Sequence, residues 1–293
     1  MDLDSLTCFS AAARHLSFRR AAKEVHLSPA AFSDRIARLE AQLDARLFDR
    51  TTRRVALTPA GERLVPAARQ LLASAADLPA LVRDDGRTPA LTLTLGTRHE
   101  LGLSWLLPAL EALDTPHRTV HLRFSDSHAL LDALRAGLVD AVVTSFRLTT
   151  PGLAYATLHA ERYAFVAAPA LVAVSPLTGP KESAAHTLID AHADLPLFRY
   201  LLDACAGPAA WTFGETRWVG TIAAIRQLVV AGRGVAVLPL YYVQADLDAG
   251  SLVQLMADVE PVQDWFRLVW RRDSPRDAAL QTLAAELRGM PLM

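Results

Sequence analysis

The chain has 293 residues, a length that suggests about two domains, and 52% of them are apolar, enough for a real core. No apolar run reaches a membrane span, and Met1-Asp2-Leu3-Asp4 begins nothing like a secretion signal, so a cytoplasmic protein is expected. The net charge of −1 selects no partner, but its distribution does: residues 1–58 hold ten Lys/Arg against seven Asp/Glu, and the remainder twenty against twenty-four.

Cys8 and Phe9 belong to a first helix. Ser17 then has the character of an N-cap, and Phe18, Ala21, Ala22 and Val25 recur at helical spacing as one apolar face, with Arg19, Arg20 and Lys23 opposite. His26-Leu27-Ser28 makes a turn. Ser28 caps the next helix and Pro29 suits its first position, where no N–H is needed. In that helix Phe32, Ile36, Leu39 and Leu43 form a buried stripe, while Ala30, Ser33, Asp34 and Arg38 lie roughly opposite. Small side chains at Ala30 and Ala31 permit close approach to base edges and thymine methyls. From Leu47 to Leu57 the pattern is strand, turn at Asp49-Arg50-Thr51-Thr52, and strand, with Arg50, Arg53 and Arg54 clustered. Two helices joined by a tight turn, followed by a basic hairpin, form a unit that puts one helix in the major groove of DNA and a wing on its phosphates or minor groove.

Thr58-Pro59 opens a longer helix. Leu64, Ala68, Leu71, Ala75 and Leu78 step by four, three, four and three, a heptad-like seam that either pairs with a second subunit or packs on the chain's own body. Pro79 is expected to kink or shorten this helix, and residues 84–89 read as a hinge.

From Leu91 strands and helices alternate, the pattern of an α/β domain with a mainly parallel sheet. Strands are expected over 91–96, 120–124, 139–144, 163–167, 218–220, 235–238, 252–255 and 266–271, and helices over 104–113, 127–136, 221–231 and 275–288. Ligands of such sheets bind outside the carboxyl ends of the strands, where helix N-termini point inward. Cys8 and Cys205 have no metal or redox spacing, and the nine histidines form no ligand cluster, so neither metal nor cofactor is implied. There is no GxSxG elbow or P-loop, and Gly232-x-Gly234 lies between a helix and a strand, the reverse of a dinucleotide fingerprint, so an enzyme is not expected.

The N-terminal segment resembles the winged helix-turn-helix of LysR-type transcriptional regulators. The resemblance rests on Phe9, Ser17-Phe18, Ala21-Ala22, Leu27-Ser28-Pro29, Ser33, Ile36, Leu39-Glu40, Leu43, Leu47-Phe48, Arg50, Leu57-Thr58 and Ala60-Gly61, and continues in GTIAAIRQLVVAGRGVAVLP at 220–239. It implies an α/β protein with a winged helix-turn-helix (1–58), a linker and dimerisation helix with hinge (59–90), and a two-lobed, type 2 periplasmic-binding-protein-like effector domain (91–293). Lobe I would hold roughly 91–154 and 266–293, and lobe II roughly 155–265. It implies a dimer or tetramer, paired through the linker seam, reading an interrupted inverted repeat in promoter DNA, with RNA polymerase as a further partner and a bacterial cytoplasmic, nucleoid-associated location. DNA contact is expected from Ser17, Arg19, Arg20, Ser28, Pro29, Ala30, Ala31, Ser33, Asp34, Arg38, Arg50, Arg53 and Arg54. Asp34 departs from the family, and an acid there is repelled by phosphates yet accepts from cytosine N4, so it is expected to tune sequence choice. Carried over by motif, the small polar effector is expected at Thr97, Arg98, His99, Glu100, Ser127, Thr144, Ser145, Arg199 and Thr221. Arg98 and Glu100 depart from the small hydroxyl residues of the family and could pair with each other. The alternatives are a DNA-binding regulator with a degenerate sensor, and a two-lobed small-molecule-binding protein without a regulatory role.

Overall fold

The computed structural model describes residues 2–50, 55–82, 91–145, 151–205 and 211–292. Three helices lead: α1 (Leu3–His15), α2 (Phe18–Glu24) and α3 (Pro29–Gln42). The hairpin β1 (Phe48–Arg50) and β2 (Val55–Leu57) precedes the long helix α4 (Pro59–Val82). Then come β3 (Leu91–Thr97), α5 (His99–Leu101), a π-helical turn at Gly102–Leu106, α6 (Leu107–Ala112), β4 (Arg118–Phe124), α7 (Ser127–Arg135), β5 (Ala141–Thr144) and β6 (Leu153–Glu161). A second series follows: β7 (Tyr163–Ala167), α8 (Pro169–Val174), β8 (Thr187–Asp190), α9 (Phe198–Leu202), β9 (Glu215–Trp218), α10 (Ile222–Val230), β10 (Val235–Pro239), α11 (Leu240–Asp248) and β11 (Val253–Gln254). The chain closes with β12 (Asp264–Arg271) and α12 (Asp277–Gly289).

The head packs Phe9, Phe32, Ile36, Leu39 and Phe48 into one core, to which α4 adds Val65 and Ala68. Half-buried Phe18 packs against this core, edge-on to both Phe32 (5.4 Å) and Phe48 (5.3 Å). In the hairpin Phe48 lies opposite Leu57 and Arg50 opposite Val55. Asp49 and Arg50, expected in the turn, are therefore paired strand residues: burying Phe48 sends Asp49 to the solvent face by the two-residue period of a strand. Residues 51–54, Arg53 and Arg54 among them, lie outside the described residues.

Thr58 caps α4, its hydroxyl accepting from the Gly61 N–H (3.1 Å) and donating to the Arg46 carbonyl (2.6 Å). A Cβ on Gly61 would sit 2.2 Å from the Leu47 carbonyl oxygen, so only glycine lets the helix approach the wing this closely. The helix runs through Pro79 to Val82 rather than stopping there. A proline removes one backbone bond but its φ is helical, so the remaining bonds carry the helix past it. The expected hinge at 84–89 lies outside the described residues.

The sensor half is two five-stranded sheets. Lobe I has the order β4-β3-β5-β12-β6, with β4, β3 and β5 parallel and β12 antiparallel to both its neighbours. Lobe II has the order β11-β7-β10-β8-β9, with β10, β8 and β9 parallel and β7 antiparallel. The chain crosses between the sheets after Glu161 and returns before Asp264. The lobe boundary expected at 154/155 is thus corrected, because it falls within β6, a strand of the lobe I sheet. Its sequence, LAYATLHAE, is half-buried along most of its length under α12, so no clean alternation marked it as a strand. The helix expected from Ser104 begins five residues earlier, at His99. The strand expected over 218–220 lies at Glu215–Trp218, because Gly220 turns the chain with a φ of +74°.

Candidate functional site

The N-terminal candidate site is the outer face of α3. Ser28 accepts from the Ala31 N–H (3.2 Å) and Pro29 holds the first position, so the helix starts where the turn delivers it. Ser17 caps α2, accepting from Arg20 (3.5 Å). With Phe32, Ile36 and Leu39 fully buried, the helical period leaves Pro29, Ala30, Ala31, Asp34 and Arg38 exposed together, and Ser33 half-buried beside them. Arg19 and Arg20 are exposed on α2. Arg35, on a different flank, is tied to Asp4 at 3.1 Å. Sequence reasoning gave Glu40 no role, yet its Oε1 accepts from the backbone N–H groups of Leu47 (2.8 Å) and Phe48 (3.2 Å). That carboxylate fixes the wing relative to the helix; its signal was an acid in the last turn of the helix, just before the strand.

The seam of α4 divides. Ala68 is buried in the head's own core and half-buried Leu64 packs against it, so this end of the seam takes the second of the two expected roles, packing on the chain's own body. Leu71 and Leu78 stand 48% and 57% exposed, with half-buried Ala75 between them, and form the apolar remainder of that seam.

The second candidate site lies where the two lobes meet. Thr97 ends β3 fully buried and Arg98 stands at the N-cap position of α5. Arg98 reaches not Glu100 but Glu161, at 3.1 Å, on the strand that crosses between lobes. Burial works against the Arg98 charge, but the fully buried Glu161 carboxylate outweighs it and raises the guanidinium pKa. Glu100 instead spans the lobes: its Oε1 accepts from the Ala223 N–H at 3.3 Å, in the first turn of α10. Thr221 caps the same helix by accepting from Ala224 (3.2 Å). A carboxylate is favoured at a helix N-terminus by the free N–H groups and the macrodipole, so Glu100 occupies the place an anion would take.

Around this pair sits a polar cluster that the sequence reading missed. Tyr163 and Tyr200 stack at 3.9 Å, and Tyr200 donates to Asp264 at 3.4 Å. Tyr241 packs against Phe266 across the lobes (5.6 Å). Burial first, and then the Glu161 charge, raises the Tyr163 pKa well above its ordinary value. Thr97 Oγ1, Arg98 Nε, Glu161 Oε2 and Tyr241 OH are buried without a hydrogen-bond partner among the described residues. The available signal was a single acid, Glu161, two residues before the wholly buried run Tyr163–Ala167.

The other expected effector residues scatter. His99 stacks on Phe124 (5.3 Å). Ser127 does not cap its helix, because Asp126 takes the Ala129 N–H at 2.9 Å. Thr144 is buried at the end of β5, and the carbonyl of Ser145 accepts from Arg267 (3.5 Å). Arg199 is exposed on α9, whose start is held by Asp190, accepting from Leu197 (3.3 Å) and Phe198 (2.9 Å). A recess of about 460 Å³ beside the crossover strands, lined by Arg162, Tyr241, Gln244 and Arg288, contains none of the expected effector residues.

Two family descriptions match the chain: a bacterial regulatory helix-turn-helix protein of the lysR family over residues 3–62, and a LysR substrate binding domain over residues 86–291. The glycine cleavage system transcriptional activator of Escherichia coli K12 is 29% identical over 275 residues, 91% of this chain and 86% of that protein. The HTH-type transcriptional activator AmpR of Rhodobacter capsulatus is 29% identical over 296 residues, 99% and 97% of the two chains. The structure of ArgP from Mycobacterium tuberculosis superposes with a TM-score of 0.76 at 25% identity, covering 99% of this chain and 98% of the other.

Proposed function

The chain belongs to the LysR family of bacterial transcriptional regulators, and from that premise we infer how its parts divide the work. It is a DNA-binding regulator with an effector-binding domain, and in our reading it works as an oligomer. In our reading α3 enters the major groove with Ala30, Ala31, Ser33, Asp34 and Arg38 toward the bases. Ser17, Arg19, Arg20, Ser28, Arg50, Arg53 and Arg54 hold phosphates, and Pro29, which has no N–H to donate, packs against the DNA backbone. Leu71, Ala75 and Leu78 pair two subunits, so that two heads meet the halves of an inverted repeat. An effector seated between the lobes shifts their relative angle and the spacing of the heads, altering polymerase recruitment. The protein acts in the cytoplasm, on the nucleoid, and performs no catalysis.

The observation that carries the DNA reading is the exposed, capped and nearly acid-free face of α3 above a fully buried stripe. Gel-shift competition with purified full chain at low salt tests it. Genomic fragments should compete far better than random duplex. Equal competition by both, with small polar metabolites also present, sinks the reading.

Glu100 favours a second reading of the sensor alone, in which the lobes are latched by the chain itself and no effector is needed. A thermal-shift screen of small polar metabolites against wild type and Glu100→Ala separates the two. A ligand at about a hundredfold over its Kd adds roughly 2.7 kcal/mol. An effector-gated sensor responds in wild type, and more strongly in the variant if effector and Glu100 compete. Silence in both favours the latched sensor.

A further inference from the structure

A recess of about 500 Å³ lies where head, linker helix and lobe I meet. Its walls carry Ser10 and Arg14 from α1, Arg69 from α4, Arg123 from β4, and Arg271 and Arg276. A second recess of about 490 Å³ shares Arg14, Arg69 and Arg123. The acid in the first recess is Asp140, and it is committed: one oxygen accepts from Arg276 at 2.6 Å and the other from the Thr94 N–H at 2.7 Å. Arg14 pairs with Glu24 at 3.1 Å, and Arg271 lies 3.9 Å from Asp273.

Arg69 and Arg123 have no carboxylate partner among the described residues. Arg69 donates to the Gly137 carbonyl of lobe I at 3.4 Å, a neutral acceptor. Burial first, then the like charges of Arg14 and Arg123, lowers its pKa. Three guanidinium groups from three parts of the chain therefore share these walls, and neither Glu24, which pairs with Arg14, nor Glu62, on the wall of the second recess, forms an ion pair with Arg69 or Arg123 among the described residues. Such a grouping opposes its own assembly unless an anion joins it, and the forked donors of arginine match oxyanions.

We propose that this junction binds a small, multiply charged oxyanion, a phosphate ester or polycarboxylate, at a site separate from the inter-lobe cleft. Arg14 engages it from the head, Arg69 from the linker helix and Arg123 from lobe I. Occupancy ties the three together, stiffening the joint through which lobe movement reaches the heads.

Thermal unfolding and hydrogen exchange of the full chain test this, with inorganic phosphate and citrate as probes against chloride at matched ionic strength. At least one probe should raise the Tm saturably and slow exchange at residues 10–14 and 136–140, and which one does so identifies the source. Arg69→Gln and Arg123→Gln should each weaken the response at least tenfold. Arg123 is exposed and makes no hydrogen bond among the described residues, so its variant keeps the fold and the test decisive even if the Arg69 variant does not. Responses equal in wild type and Arg123→Gln, or no response beyond chloride with either probe, overturn the proposal.

Discussion

The head and the inter-lobe cleft differ in how much chain each needs to assemble its working surface. The residues assigned to DNA all fall between Ser17 and Arg54, and those on α2 and α3 are presented by caps and helical period above one small core. The cleft joins Arg98 to a partner 63 residues away, Tyr200 to one 64 away, and Glu100 to one 123 away. A surface that reads a groove needs only local geometry, whereas a polar site between two sheets exists only once both sheets have formed. The optical signals divide the same way. Trp105, Trp211, Trp218, Trp265 and Trp270, and all five tyrosines, lie outside the head, so fluorescence follows the sensor while DNA binding follows the head.

Glu161→Ala should break this division most sharply. Removing one partner of a buried pair leaves Arg98 uncompensated, a loss of about 3 kcal/mol. Urea unfolding followed by tryptophan fluorescence should move to lower denaturant, while binding of random duplex at low salt stays near wild type. A fluorescence midpoint that does not move means the pair contributes nothing to the sensor.

Leu71→Asp and Leu78→Asp test whether the exposed seam of α4 joins two heads. Each buried leucine lost is worth about 2 kcal/mol, roughly thirtyfold in dimer Kd. Sedimentation should show dissociation, and operator affinity should fall with it. A dimer of unchanged strength puts the interface elsewhere.

Asp34→Ala should change preference at one base pair by about 1 kcal/mol or more in a selection from randomised duplexes, whereas Arg53→Ala should weaken all sequences evenly and flatten the salt slope by about one. An unchanged preferred sequence with Asp34→Ala removes that residue from base reading. Ser28→Ala, which deletes a cap, should cost about 1 kcal/mol in head stability, read as lower helicity on heating before the fluorescence transition.

The smallest effect is alkaline. Burial is the leading cause raising the pKa of Tyr163, Tyr200, Tyr241 and Tyr242 above the ordinary value near 10. A phenol whose folded pKa exceeds its unfolded one contributes stability that is fully present below pH 10 and lost as pH rises through the folded value. Tyrosinate absorbance of these four should therefore lag behind that of free tyrosine and then jump with unfolding. Ordinary titration of these four while fluorescence stays native would show that their phenols are reached by water.

Much of the head was legible because its signals are short-range: Ser17, Ser28 and Thr58 cap where their types and spacings require, and Phe32, Ile36 and Leu39 bury at helical period. In the sensor, strands with strong apolar runs such as Tyr163–Ala167 and Val235–Pro239 were legible, and mixed-composition β6 was not. Arg98 illustrates the limit. The sequence places it at a strand end, with Glu100 two residues on as the nearest partner of opposite charge. Yet side chains two apart on a helix do not face each other.

By itself, then, the sequence determined the local elements, the basic reading face, and the kind of two-part protein this is, because caps, periodicity and turns act over a few residues. Only the tertiary structure decided that Arg98 meets Glu161, that Glu100 reaches Ala223, that half of the α4 seam is spent on the head, and that Arg14, Arg69 and Arg123 converge. Those pairings depend on strand order and on how helices close over sheets, and separations of tens to hundreds of residues leave no periodic trace in the chain.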